Sequence, residues 1–98
     1  MADILDKFTD IQSIADDAYL DIQPASGHEA VIHNIYYADD IEVYRYDGTN
    51  SILIISRVGN GCLAMFAFHV TNTDRIRVKN VSGGTQLIGY DGVYTKVT

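Results

Sequence analysis

The spacing of apolar positions changes character once along this chain, near residue 18. Before it, Ile4, Phe8, Ile11, Ala15 and Ala18 recur at intervals of three and four, with Leu5 and Ile14 flanking that line. This is the period of an amphipathic helix, and it predicts one over Ile4 to Ala15, with Asp3 capping the start and Asp6 and Asp10 on or near the polar face. The same residues also suit an extended arm that orders only on a partner. After residue 18 the period falls to two. "YLDIQ" alternates up to Pro24, which cannot donate to a strand ladder. "HEAVIHNIYY" (28–37) is rich in β-branched and aromatic residues, and "IEVYRY" (41–46) sends Ile41 and Val43 one way and Glu42, Tyr44 and Tyr46 the other.

"DGTN" (47–50) reads as a four-residue turn in which glycine supplies positive φ. "SILIIS" (51–56) is apolar on both faces, which predicts a central, fully buried strand. "CLAMFAFHV" (62–70) has helix-forming residues, but its shortness and its glycine and "TNTD" borders favour a strand. "RIRVKN" (75–80) alternates cleanly. "TQLIGY" and "VYTKV" read as a last hairpin turned by Asp91-Gly92, in the way Asp47-Gly48 turns an earlier one. The two "YDG" copies share no flanking similarity, so they mark turns and not a duplication.

Seven or eight strands at a spacing of about ten residues predict an all-β fold: an antiparallel β-sandwich or jelly-roll-like barrel with an N-terminal helix or arm. The boundaries are an acidic helix or arm over 1–17 and a β-sandwich domain over 18–98. At 98 residues the core is modest, so further copies or an assembly are expected to complete the apolar burial. The single cysteine, Cys62, cannot form an internal disulfide and reads as a small buried apolar residue. The first residues lack the basic start and apolar stretch of a secretory signal, and no apolar run approaches the roughly 30 Å of a bilayer core, so no membrane partner is expected.

The net charge of -6 is unevenly spread. Residues 1–40 hold nine acids and one base, whereas residues 41–98 hold four acids and six bases. An acidic chain repels phosphate backbones, which argues against nucleic acid as a partner. The asymmetry suits an acidic N-terminal segment lying on a basic patch of its own or a neighbouring subunit. That patch is the row Arg75, Arg77 and Lys79, which either clamps carboxylates of a partner or forms a solvated outer face. Tyr44, Tyr90 and Tyr94 are candidates for an aromatic surface that takes a glycan or a protein, with cross-strand packing as the alternative.

Catalytic chemistry has no foothold in the pattern. His28, His33 and His69 lack metal-ligand spacing, and Cys62 and His69 lie about 20 Å apart along extended chain. The acidic pairs Asp16-Asp17 and Asp39-Asp40 lack the alternation and glycine of a calcium loop. No phosphate loop or nucleophile elbow occurs. The expectation is a protein that is not an enzyme, with no cofactor, no metal and no catalytic residue.

"YLDIQPASGHEAVIHNIYY", "VYRYDGTNSILI", "FHVTNTDRIRVKN" and "LIGYDGVYTK" together resemble small structural proteins of tailed-phage virions. The resemblance covers roughly Tyr19 to Lys96. It lies in an extended strand ending in proline, a glycine and glutamate leading into "VIHNI", and the late "TN…IRVKN" strand pair. It implies a head decoration (cement) protein that binds the assembled phage head and stabilises it, or else a head-tail connector or tail ring subunit. A carbohydrate-binding module on a virion surface is the rival. The implied partners are the major capsid protein or another virion protein and further copies of the chain, and the implied location is the virion, assembled in the host cytoplasm. Docking is expected through Ile4, Leu5, Phe8 and Ile11, with Arg75, Arg77 and Lys79 as a polar contact row. Removal of residues 1–17 is expected to abolish attachment and leave the fold intact.

Overall fold

The computed structural model describes residues 3–97, and these contain no helix. Nine strands form two antiparallel sheets: β1 (Lys7–Ile14), β2 (Tyr19–Ile22), β3 (Glu29–Tyr37), β4 (Ile41–Tyr46), β5 (Ser51–Arg57), β6 (Gly61–Leu63), β7 (Phe68–Thr71), β8 (Arg75–Asn80) and β9 (Gln86–Lys96). The first sheet runs β1-β9-β3-β6, with β7 pairing a second stretch of β3; the other runs β2-β8-β4-β5. The sheets pack together as a β-sandwich. Where the sequence alternates, one side of each strand enters the core. Ile22, Ile41, Val43, Ile76 and Val78 of one sheet join Ile32, Ile35 and Ile88 of the other in one cluster from which water is fully excluded.

The predicted N-terminal helix is not formed. Lys7–Ile14 is a strand paired residue for residue with β9, from Lys7 opposite Val93 to Ile14 opposite Gln86. A helix of that length is marginal on its own, whereas β9 offers an open edge eleven residues long. The same sequence also carries a period of two: Phe8, Asp10 and Ile14 turn inward, and Lys7, Thr9, Ile11 and Ser13 are exposed. Asp3 does not cap a helix. Its carbonyl accepts from the Asp6 N–H in a tight turn, after which Leu5 and Tyr94 tie the segment to β9 by backbone bonds.

Four further expectations give way. β5 is the outermost strand of its sheet, not a buried central one. Residues 62–70 do not form one strand: β6 ends at Leu63, Met65 takes positive φ, and β7 begins at Phe68. The break matches a register irregularity in β3 between Ile32 and Asn34, beside which the Phe66 N–H donates to the His33 carbonyl. Cys62 is exposed. The last hairpin is absent, because β9 runs straight through Asp91-Gly92. Gly92 serves close approach and not turning: a Cβ there would overlap the Val31 carbonyl oxygen and lie 2.9 Å from Ile32 Cα. Gly48, by contrast, does turn, at φ +96°.

The corner where β1, β8 and β9 meet is held by two buried amides. Asn80 donates through Nδ2 to the carbonyls of Ile14 (2.8 Å) and Gly84 (2.6 Å), and its Oδ1 accepts from Ser82 N and Oγ and from Gln86 Nε2. Gln86 in turn accepts from Ala38 N and Asp39 N and donates to the Asp40 carbonyl. The polar groups named are paired, as burial demands.

Candidate functional site

The basic row lies on the outer face of the β2-β8-β4-β5 sheet, and its charges are engaged within the chain. Arg77 donates through Nε to Asp21 Oδ1 at 3.0 Å, and its guanidinium lies 4.1 Å from the Tyr19 ring centroid and 4.2 Å from that of Tyr46. Arg75 covers the other part of Tyr46, at 4.6 Å. Lys79 reaches Asp17 at 3.9 Å and stands 5.8 Å from the Tyr19 ring. Cross-strand register places these partners: Tyr19 is opposite Lys79, Asp21 opposite Arg77, and Tyr46 opposite Arg75. Asp17 and Asp21 are thus the acids of the N-terminal half that meet the basic row, while Asp3, Asp6 and Asp10 lie beside β9 of the other sheet. The clamp expected for a partner's carboxylates is closed on Asp21 of its own chain.

The tyrosines do not gather into one surface. Tyr44 belongs to the basic face, where its ring meets Tyr19 edge-on and its hydroxyl donates to Glu42 Oε1 at 2.6 Å. That bond, followed by burial, pushes the Tyr44 hydroxyl up to about 12. Tyr90 is 6 % exposed and belongs to the core, so it cannot present a ring to a ligand. Tyr94 is half-buried on the first sheet, and Phe8 packs against both, 5.2 Å from each ring centroid. Phe8 is therefore an internal anchor of β1. Ile4, Leu5 and Ile11, of the same expected docking set, are exposed.

Ile11 belongs to an apolar patch on the outer face of the first sheet. Opposite it stands Gly89, whose missing side chain leaves room for it, since a Cβ would come within 2.6 Å of Ile11 Cγ1. Leu87, Tyr36 and Ala38 complete a shallow apolar depression around that glycine. Next to it is a polar cluster in which Asp91 accepts from Asn34 Nδ2 at 2.6 Å and from the Tyr36 hydroxyl. The hydrogen bond to Asp91 raises the Tyr36 pKa, and partial desolvation, then the Asp91 charge, raises that of the exposed Cys62 thiol; both shifts favour the protonated, less nucleophilic form. Among the described residues no group of three His, Cys, Asp or Glu side chains is placed to hold a metal ion. His28 stands edge-on to Tyr94, while His33 lines a cleft with Lys7, Thr9 and Asp91.

The second apolar exposure is β5. Ile52, Leu53 and Ile54 are 65 %, 47 % and 41 % exposed, and Val58, just beyond the strand, is 86 % exposed. Tertiary placement decides this: the run is apolar on both faces, as a central strand would be, but it pairs only with β4. No local residue pattern distinguishes the two placements. The Asp91 cluster and the Asn80-Gln86 corner had no signal either, because their members come from strands far apart in the chain.

No protein-family model and no curated protein matches the chain.

Proposed function

We propose that this chain is a non-enzymatic structural protein of a tailed-phage virion, a decoration protein that binds the assembled head and stabilises it. The observation that carries this reading is the distribution of its apolar exposure. On a rigid frame of two sheets, Ile11 and Leu87 stand out from one sheet face, at 65 % and 59 % exposure, and Ile4 and Leu5 are exposed in the turn that leads into β1. Scattered apolar residues need no explanation, whereas a cluster around a shallow depression is the form of a protein contact. The resemblance of residues 19–96 to virion proteins supports the major capsid protein or a virion neighbour as the partner.

Attachment by this face requires no helix and no mobile arm. Ile4, Leu5 and Ile11 carry the contact, and Phe8 fixes β1 beneath them. Arg75, Arg77 and Lys79 lie on the opposite sheet, paired with Asp21, Asp17 and the tyrosine rings. They supply the polar rim of a neighbouring subunit if the protein packs as an array.

The test adds purified protein to heads that lack it and measures bound copies by sedimentation and gel densitometry. Wild-type protein should saturate the heads, and the double variant Ile11→Asp/Leu87→Asp should lose most of the binding while its circular dichroism stays unchanged. Heads that bind neither protein, or both equally, would overturn the proposal.

A further inference from the structure

The edge strand β5 has an occupant written into its sequence. We propose that β5 pairs with β5 of a second copy, antiparallel across a two-fold axis, so that the four-stranded sheets of two molecules become one continuous sheet. This goes beyond the virion assignment and does not depend on it.

An outermost strand presents unpaired N–H and C=O groups, and proteins ordinarily blunt such edges with lysine, proline, an inward charge or a bulge. From Ser51 to Ser56 there is no charge and no proline, and the side chains exposed there are Ile52, Leu53 and Ile54. One blunting device is present: Ile54 is an extra residue, since Leu53 lies opposite Tyr44 and Ile55 opposite Val43. Its effect here favours self-pairing. Ser-Ile-Leu-Ile-Ile-Ser reads nearly the same in both directions, so an antiparallel copy sets Ile52 against Ile55 and Ser51 against Ser56. Residues opposite one another must share a face. Without the bulge, Ile52 and Ile55 would lie on opposite faces; with it, Ile52 (opposite Arg45) and Ile55 (opposite Val43) both lie on the inner one. The bulge falls on the axis, and ladder bonds form on either side of it.

Charge agrees with the same register. Continuing outward, Arg57 of one molecule lies beside Asn50 of the other, at the turn where Asp47 accepts from the Thr49 and Asn50 N–H groups. Two-fold symmetry makes this contact twice, cation to anion each time. Ile52, Leu53, Ile54 and Val58 are all large apolar side chains left 41–86 % exposed on one edge, a contiguous contribution to the ~800 Å² per partner of a standard interface. Backbone, serines and Arg57 add to it.

The experiment is sedimentation equilibrium of the full chain across micromolar concentrations. Wild-type protein should be dimeric. Ile52→Lys, at a mostly exposed position, should yield a monomer with unchanged circular dichroism. Arg57→Glu should weaken the dimer roughly tenfold by setting a carboxylate against Asp47 at each of the two symmetric contacts, and adding Asn50→Lys to it should restore most of that loss. A monomeric wild type would overturn the proposal, including the case in which β5 is captured by a strand of another protein. So would a dimer that survives Ile52→Lys and is indifferent to the charge at residue 57.

Discussion

The Asn80 side-chain oxygen accepts a hydrogen bond from the Gln86 amide at 2.9 Å, with both residues buried. Through this contact the end of β1, the β3-β4 turn, the end of β8 and the start of β9 share one polar network. An amide is required at residue 80, because the group must donate to the Ile14 and Gly84 carbonyls and accept from Gln86 and Ser82 at once. Asn80→Ala strands several of these partners away from water and should cost about 2–4 kcal/mol. Urea unfolding should show a lower midpoint with an unchanged slope. Asn80→Asp turns a donor into an acceptor facing two carbonyls and should be at least as damaging near neutral pH.

Two glycines in identical Tyr-Asp-Gly contexts should respond differently to alanine. At Gly48 a Cβ meets nothing within 4 Å, and the cost is only the positive φ, about 1–2 kcal/mol. At Gly92 the Cβ overlaps the Val31 carbonyl oxygen, so β9 would have to leave β3. A loss of more than about 4 kcal/mol, or no folded protein, is expected there. Thermal unfolding of the two variants side by side is the check; equal shifts would mean that β9 does not pass so close to β3.

That contrast also marks what could be read from the chain. The alternation in "RIRVKN", "IEVYRY" and "YLDI" placed β8, β4 and β2 correctly, because half-buried strands write their own burial into the sequence. Asp-Gly looks the same whether it turns a corner or runs straight, since the deciding atom, the Val31 carbonyl, lies 61 residues away from Gly92. The helical spacing of Ile4, Phe8, Ile11 and Ala15 was real as a pattern, but it competed with an open strand edge that only the assembled sheet reveals. The apolar run of β5 carried burial potential without saying who would do the burying. For the basic row, sequence gave the residues and their shared face, while the cross-strand partners that neutralise them came from register.

Because β1 is a strand, truncation should not be harmless. Removing residues 1–17 takes away the eight pairs with β9, the Ile14 side chain and the carbonyl that Asn80 binds. The remainder should aggregate or unfold at much lower urea than the full chain, which would explain a loss of attachment without any docking role. Phe8→Ala separates the effects: it removes a half-buried ring packed on Tyr90 and Tyr94 and should cost about 2 kcal/mol, less than the 3–5 of a fully buried phenylalanine. A truncated protein with wild-type stability would refute the integral role of β1.

Alkaline pH should destabilise the fold through Tyr90 and Tyr44. Burial, then the charges of Asp10 and Tyr94, pushes the Tyr90 hydroxyl up to about 12 from its ordinary 10. Tyr44 is pushed up to about 12 by its bond to the Glu42 carboxylate and then by burial. Both folded-state values exceed the unfolded one, so below pH 10 neither state is ionised and the full stability is present. As pH rises from 10 toward 12 the unfolded chain releases these protons first, and stability falls through that window. Urea midpoints at pH 8, 10 and 11 should drop slightly in the first interval, where the unfolded tyrosines become half ionised, and more steeply in the last, while tyrosinate absorbance should show a late-titrating group coincident with unfolding. In Tyr90→Phe the ring contacts with Phe8 persist and the ionisable hydroxyl is gone. Its midpoint should match wild type at pH 8 and exceed it at pH 11, and an equal decline in both proteins would exclude Tyr90 as a source of the alkaline sensitivity.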